Sequence, residues 1–205
     1  MSVQNNSILR FPPEFEQDLL ALDLPALNSE WVEYHTQNLN NNTDYDYFIN
    51  VNVRNVAVTP DRTIQRDSVV RRDVDDGFEY KLDRNGNVMK DSLGNDIRLR
   101  KYKTLQCALI ETIQSKSCRI DGDVETIQMN PNKMLKKDPI GAQSNFENIS
   151  SRAIGDTQAL TPELLERTRK QQVPFPTDLD MVMMTSENLK MAIRGAIQNN
   201  RRFIN

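Results

Sequence analysis

The chain has 205 residues, of which 38% are hydrophobic and 27% are charged, and its formal net charge is -3 at pH 7. This length and polarity predict one folded core with long polar segments and exclude a wholly disordered chain. The sequence pI of about 5.3 argues against a nucleic-acid-binding domain, and no stretch is apolar enough to span a membrane.

The N-terminal segment is acidic. Residues 1–50 hold eight Asp and Glu residues against one base, Arg10, so the remainder of the chain has a positive net charge. We interpret residues 1–46 as an acidic helical arm whose charges are solvated or attract a partner. Its pattern predicts a helix over 13–24, a second helix over 28–34 anchored by Trp31, and a polar loop over 38–42.

Residues 47–205 are predicted to form a single α+β domain that begins with a strand over 47–58. Apolar side chains at Ile49, Val51 and Val53 alternate with polar ones, so the two kinds are predicted to point to opposite faces of the strand. The alternation changes phase at Asn55, where we expect a β-bulge. A charged excursion over 61–97 follows, with a mobile loop over 61–79 and a short strand over 78–82.

Two turn units stand in tandem within this excursion. Each contains Asp-x-x-Gly-Asn, and they begin eight residues apart, at Asp83 and Asp91. Because Gly accepts positive φ and Asn and Asp bond their own backbone, each unit is predicted to reverse the chain. The oxygens of Asp83, Asn85, Asn87 and Asp91 also suggest a calcium loop. An EF-hand needs Gly and Glu at its sixth and twelfth positions, and here Val and Gly stand there, so we favour plain turns.

A β-meander is predicted next, with strands over 98–113, 118–129 and 134–146. The first turn is placed at 114–117 and the second at 130–133. Cys107 and Cys118 are interpreted as free core residues, because this arrangement separates their sulfurs along the ladder. A basic run opens the first strand and is a candidate partner-binding surface for phosphate, an anionic polymer or the acidic N-terminal segment. We favour the interpretation that it blocks edge-to-edge pairing of the strand. It consists of Arg98, Arg100, Lys101 and Lys103.

The C-terminal part is predicted to be helical. Thr161 is the expected N-cap of a helix that reaches about residue 171. A final helix is expected to begin near Thr185 or Ser186, with a core-facing stripe at Leu189, Ile193 and Ile197. The predicted fold class is therefore α+β: an antiparallel meander with N-terminal and C-terminal helices packed on one face.

Few residues are candidates for catalysis. His35 is the single histidine, which argues against a multi-histidine zinc site and favours a surface or capping role. Asp121 and Asp123 share the predicted wet face of a strand, where a pair of carboxylates could serve hydrolysis. A general acid needs burial to raise its pKa, and this face is expected to be exposed. We therefore interpret Asp121 and Asp123 as ordinary solvated side chains. No cofactor and no small-molecule substrate are expected.

Several segments together resemble uncharacterised secreted or cell-envelope proteins of Bacteroidota. They are the turn Asp91–Asn95, the strand pair around Thr112–Ser117, Phe146–Asn148 with Gly155-Asp156, Val173–Thr177 and the helix at Glu187–Lys190. Their order over about residues 47–200 carries the resemblance, which implies a non-catalytic β-sheet domain in the cell envelope. The chain departs from that family because its N-terminus reads as lacking a secretion signal.

Our leading hypothesis is a non-enzymatic structural or protein-interaction component of the bacterial cell envelope, with protein partners in a larger assembly. A virion structural protein of a phage infecting Bacteroidota is the first alternative. A carboxylate-dependent hydrolase is the second. The expected location is the periplasm or envelope if a signal was removed, and otherwise the cytoplasm or virion.

Overall fold

A computed structural model describes residues 1–8, 13–22, 24–35 and 44–204. The polar loop predicted over 38–42 lies outside the described residues. The strands are β1 (Ser2–Asn5), β2 (Tyr47–Val58), β3 (Arg62–Tyr80), β4 (Arg98–Gln128) and β5 (Lys133–Gly155). The α-helices are α1 (Pro13–Leu20), α2 (Pro162–Arg169) and α3 (Asp178–Asn200), and short 3-10 helices occupy Pro25–Leu27, Thr157–Ala159 and Arg201–Phe203.

The strands form one five-stranded sheet, so the predicted α+β class is correct. Its order is β1-β2-β4-β3, and β5 also pairs with β4. The sheet is not purely antiparallel, because β1 runs parallel to β2 while β2 runs antiparallel to β4. Parallel pairing becomes possible because the long connection between β1 and β2 carries α1 and lets the chain return in the same direction. The packing of all helices on one face stays a prediction.

The contacts divide the chain into two compact units. Unit 1 comprises Met1–Arg62, Ser115–Glu147 and Pro174–Asn205, and unit 2 comprises Thr63–Gln114 and Asn148–Val173. Both β4 and β5 contribute residues to each unit. The segment predicted as an acidic arm supplies Phe15 and Leu19 to the core of unit 1.

Unit 1 is built around apolar side chains from α1, β2, β4 and α3. The predicted apolar alternation of β2 is confirmed, and so is the bulge, since the register with β4 shifts between Val53 and Asn55. The predicted stripe of the last helix is also buried. The core consists mainly of Phe15, Leu19, Leu24, Val51, Val53, Ile120, Val124, Met181, Leu189, Ile193 and Ile197.

Two helix predictions for unit 1 were wrong: one placed the start of a helix too late, and the other placed a helix where a loop is found. Helix α3 begins at Asp178 rather than near Thr185, because Thr177 and Asp180 form a capping box in which each side chain accepts the other's backbone N–H. No helix occupies 28–34. The carboxamide oxygen of Asn28 instead accepts from Tyr34 N at 2.9 Å and closes a loop, which competes with helix formation.

Unit 2 has a smaller core. Leu105, Cys107 and Leu109 of β4 are buried with Ala159 and Leu160, and Val70 and Val74 of β3 pack against them. The helix predicted after Thr161 is confirmed, because the Thr161 hydroxyl accepts from Leu164 N. The loop predicted over 61–79 was wrong, and the strand predicted over 78–82 is correct only for residues 78–80, which end a much longer strand. The 19-residue strand β3 occupies this segment, and its charged sequence concealed it because nearly all of its side chains face water.

The turn predicted at 114–117 was also wrong, since β4 runs without interruption from Arg98 to Gln128. Gln114 and Lys116 are buried and bonded instead of exposed, and Ser115 and Ser117 are half-buried. Within unit 2, Gln114 Nε2 donates to Val173 O at 2.9 Å. Within unit 1, the Lys116 ammonium lies 2.9 Å from Asp61 and 2.7 Å from Asp178, and hydrogen bonds to these carboxylates raise its pKa. The predicted three-stranded meander is therefore the two-stranded hairpin of β4 and β5.

Candidate functional site

The most exposed part of unit 2 is the end of the hairpin formed by β3 and β4. Strand β5 ends at Gly155, and the next residue, Asp156, donates its N–H to Gln106 O at 3.1 Å. The part of β4 before Gln106 thus extends past the end of β5. Residues 75–104, which we term the hairpin arm, are exposed except for the half-buried Met89 and Ile97.

The tandem turns form the end of this arm, and the predicted chain reversals are confirmed. Asp83 Oδ1 accepts from the backbone N–H groups of Asn85 and Asn87, both at 2.8 Å. Asp91 Oδ1 accepts in the same way from Leu93 N and Asn95 N, at 2.9 and 2.8 Å. Backbone hydrogen bonds from Asn87 and Asn95 lower the pKa of Asp83 and Asp91, respectively.

Glycine is required in both turns. Gly86 and Gly94 have φ of 82° and 85°, in the left-handed region that L residues with a side chain rarely adopt. Each glycine also donates its N–H to the carbonyl of the Asp that opens its turn. The eight-residue repeat in the sequence therefore corresponds to two turns of the same geometry.

Three backbone hydrogen bonds connect the turns to the strands in a closed ring. Lys81 N donates to Ile97 O at 2.9 Å, Ile97 N donates to Met89 O at 2.9 Å, and Met89 N donates to Lys81 O at 2.8 Å. Successive members of the ring are eight positions apart in the sequence, which is also the spacing of the two turns. It fixes the end of the arm through backbone bonds, with little apolar burial.

The residues that the sequence suggests as calcium ligands form the hydrogen bonds of these turns. Asp83 and Asp91 belong to different turns, and each carboxylate accepts hydrogen bonds from its own turn's N–H groups. Asn87 Nδ2 and Asn95 Nδ2 donate to the second oxygen of the respective carboxylate. The geometry of Asp83, Asn85, Asn87 and Asp91 is thus that of Asx turns. Within the described ranges, no cluster of three or more His, Cys, Asp or Glu residues is arranged to hold a metal.

An aromatic cluster lies on one face of the arm, next to the turns. The rings of Phe78 and Tyr80 meet edge to face with centroids 5.4 Å apart. The Arg98 guanidinium carbon lies 4.4 Å from the Phe78 centroid and 5.7 Å from the Tyr80 centroid. Side chains two residues apart on a strand share a face, so Arg100 and Tyr102 continue this surface. Phe78, Tyr80 and Tyr102 are 48%, 41% and 59% exposed.

We call Phe78, Tyr80, Arg98, Arg100 and Tyr102 the aromatic–arginine patch. The predicted basic run is divided by strand alternation, because Lys101 and Lys103 point to the opposite face of β4. Lys101 Nζ lies 3.3 Å from Asp76 Oδ2. The structure therefore places two of the four predicted partner-binding residues in the patch. Its three aromatic members were missed because no local pattern in the sequence indicates that β3 pairs with β4.

The carboxylates considered for hydrolysis lie in unit 1, and the predicted wet face of their strand is wrong. Asp123 is 1% exposed. Its oxygens lie 2.6 Å from Arg54 Nε and 3.3 Å from Lys137 Nζ, and Asn52 Nδ2 donates to it at 3.1 Å. Asn50 and Asn52 are buried as well, because this face is covered by its own long polar side chains. Burial in this network keeps the Asp123 carboxylate out of a substrate's reach.

The neighbouring acids are also paired. Arg119 donates to both oxygens of Asp121 at 3.0 Å. Lys137 Nζ lies 2.7 Å from Glu125 Oε1, and this hydrogen bond lowers the pKa of Glu125. The arrangement is an ion-pair network on the sheet.

The remaining candidates are structural as well. His35 does not end a helix; its carbonyl accepts from the Met1 amino group at 3.1 Å, and its ring lies edge-on to Tyr45. Cys107 and Cys118 are buried and free, each in the core of its own unit. Burial raises the pKa of the Cys118 thiol, which disfavours the reactive thiolate.

The comparisons with family models, characterised proteins and solved structures return no match for this chain. The similarity to envelope proteins of Bacteroidota accordingly stays a prediction. Among the described residues, no helix has both the length and the apolar character needed to cross a bilayer.

Proposed function

We propose that this protein is a non-enzymatic structural subunit that binds a protein partner through the aromatic–arginine patch of its hairpin arm. One observation carries the proposal: Phe78 and Tyr80 are about half exposed and are contacted by an arginine, at the end of a hairpin with little core of its own. Surface apolar residues are ordinary when scattered, whereas a contiguous group marks an interaction site.

The composition of the patch favours a protein partner. Tyr, Phe and Arg are enriched in protein interfaces, and Tyr and Arg are enriched among the residues that dominate binding energy. Aromatic rings add contact area at low cost in side-chain entropy, because they have only two rotatable bonds. The chain's acidic pI supports a protein over a nucleic acid as the ligand.

The arm also has a physical reason to bind a partner. A two-stranded hairpin is marginally stable by itself, since it buries little apolar surface. A partner that covers one face of the arm would bury the aromatic rings and stabilise the hairpin. The tandem turns and their hydrogen-bonded ring keep the end of the arm in one conformation, which lowers the entropic cost of binding.

We place this subunit in the bacterial cell envelope, on the strength of the motif order described above. A virion is the alternative setting, because a hairpin that is exposed on both faces suits contacts between the subunits of a large assembly. The hydrolase alternative gains no support from the geometry, since Asp121 and Asp123 are bound in ion pairs. We also propose that α1 and α3 cover one face of the sheet, since their apolar residues share a core with β2.

Site-specific photo-crosslinking in the native host tests the proposal. A photoreactive amino acid at Tyr102 is expected to give one predominant protein adduct, identified by mass spectrometry. The matched control carries the same group at Met191, an exposed position of α3 outside the arm. Arg98→Glu with Arg100→Glu is expected to abolish the adduct at Tyr102. Equal adducts at both positions, or an adduct insensitive to the charge reversal, would contradict the proposal.

A further inference from the structure

Unit 1 also has an exposed aromatic residue in acidic surroundings. Trp31 is 90% exposed, although tryptophan is among the most buried residue types on average. It stands at the end of a turn that is closed by a hydrogen bond from Ser29 N to Val32 O at 2.9 Å. The bond from Tyr34 N to Asn28 Oδ1 closes the loop around it. We call residues 29–33 the Trp31 turn.

The charges of this turn complement those of the aromatic–arginine patch. Glu30 and Glu33 flank the indole, and both are exposed. The patch presents two arginines beside half-exposed rings. Tryptophan is the ring that binds cations best through its face, and the planar arginine guanidinium also stacks on it. One surface therefore offers an aromatic side chain between acids, and the other offers arginines between aromatic rings.

We propose that the Trp31 turn of one copy of this protein docks on the aromatic–arginine patch of a second copy. This inference rests on the proposed function and names a second copy of the chain as a partner for the same patch. The arginines of one copy would contact Glu30, Glu33 and the indole of the other. Because the two surfaces differ, repetition of the contact gives a two-fold dimer that contains it twice, a larger closed ring or a filament.

A contact between two different surfaces makes a prediction that a contact of one surface with itself does not. Trp31→Ala removes the indole with which the turn would bind a second copy, and it leaves the patch intact. Arg98→Glu with Arg100→Glu reverses the patch and leaves Trp31 intact. Each variant alone has lost one of the two surfaces that every contact needs. A mixture still offers one functional pair, so it is expected to form dimers and to stop there.

Sedimentation velocity at low salt, over a wide range of protein concentration, measures this behaviour. We expect the mass of the wild-type protein to rise with concentration and each variant to stay monomeric, with an association constant at least about thirtyfold weaker. Ile8→Ala is the control for loss of an exposed apolar side chain, and Lys103→Glu is the control for charge reversal on the opposite face. Both should associate like the wild type, and circular dichroism verifies that every variant is folded.

Three outcomes would overturn the inference. They are a wild-type protein that is monomeric at all concentrations, a Trp31→Ala variant that associates normally, and a mixture of the two variants that stays monomeric. Should the wild-type protein stay monomeric while Tyr102 is crosslinked to a different protein, the inference fails and the proposed function stands. If Tyr102 gives no adduct and no self-association occurs, both fail.

Discussion

The core of unit 1 and the hairpin arm of unit 2 are held together by different forces. In unit 1, Val124 of β4 and Ile193 of α3 are fully buried with other apolar side chains. In the arm, the stretch from Arg98 to Thr104 of the same strand is exposed on both faces. Hydrogen bonds of the turns and contacts between Arg98 and the aromatic rings hold the arm. We therefore expect core substitutions to change global stability and arm substitutions to act locally or on binding.

The largest effect is expected from Ile193→Ala. This side chain is fully buried in unit 1, so its truncation removes apolar contacts and leaves a cavity, at a cost of about 2–5 kcal/mol in the free energy of unfolding. Urea denaturation followed by circular dichroism at 222 nm measures this change. Met191→Ala is the control on the exposed face of the same helix, and it should change stability by less than about 0.5 kcal/mol. Equal losses for the two variants would contradict the assigned core.

A smaller effect is expected from Gly122→Ala on β4. A Cβ atom at this position would lie 2.3 Å from the backbone oxygen of Asn52, so the two strands would have to separate at the bulge. We expect a loss of about 1–3 kcal/mol, as for other overpacked sites. The matched control is Gly141→Ala, whose Cβ would meet the Asp121 side chain at 3.2 Å. That side chain can move away, so a Gly141 variant as unstable as the Gly122 variant would contradict this account.

The smallest effect concerns pH and the end of the arm. Hydrogen bonds lower the pKa of Asp83 and Asp91 below 3.8, their ordinary value. A depressed pKa means that these groups stabilise the turns above pH 3.8 and that this contribution is lost as pH falls through the folded-state pKa. Amide chemical shifts of Asn87 and Asn95, followed by NMR from pH 7 to pH 2, should report the transition.

The two turns provide their own control in this titration. Asp83→Ala should remove the transition at Asn87 and leave the one at Asn95 unchanged, because each carboxylate bonds its own turn. Midpoints at or above pH 3.8 would show that the carboxylates do not hold the turns. The core of unit 1 should stay folded through the transition of the arm, as measured by the helical signal at 222 nm.

Local patterns in the sequence were sufficient to predict several structures that depend on residues close to one another in the chain, although the cap at Thr177 and the loop closed by Asn28 were missed. The Asp-x-x-Gly-Asn turns, the bulge after Val53, the cap at Thr161 and the stripe of α3 were all predicted. Each depends on a preferred φ, a short-range hydrogen bond or a helical period. The candidate site was predicted only in part, since the basic run indicated a binding surface and the aromatic rings did not.

The tertiary structure alone decided which polar residues are buried and which strand lies beside which. Lys116 was predicted to lie in an exposed turn and Asp123 on an exposed face, yet both are buried because charged partners distant in sequence surround them. Phe78 and Tyr80 become a surface with Arg98 only because β3 pairs with β4 across the tandem turns. The sequence by itself determined the tandem turns and the helix cap at Thr161, whereas the partners of each strand and charge depend on contacts that no local pattern contains.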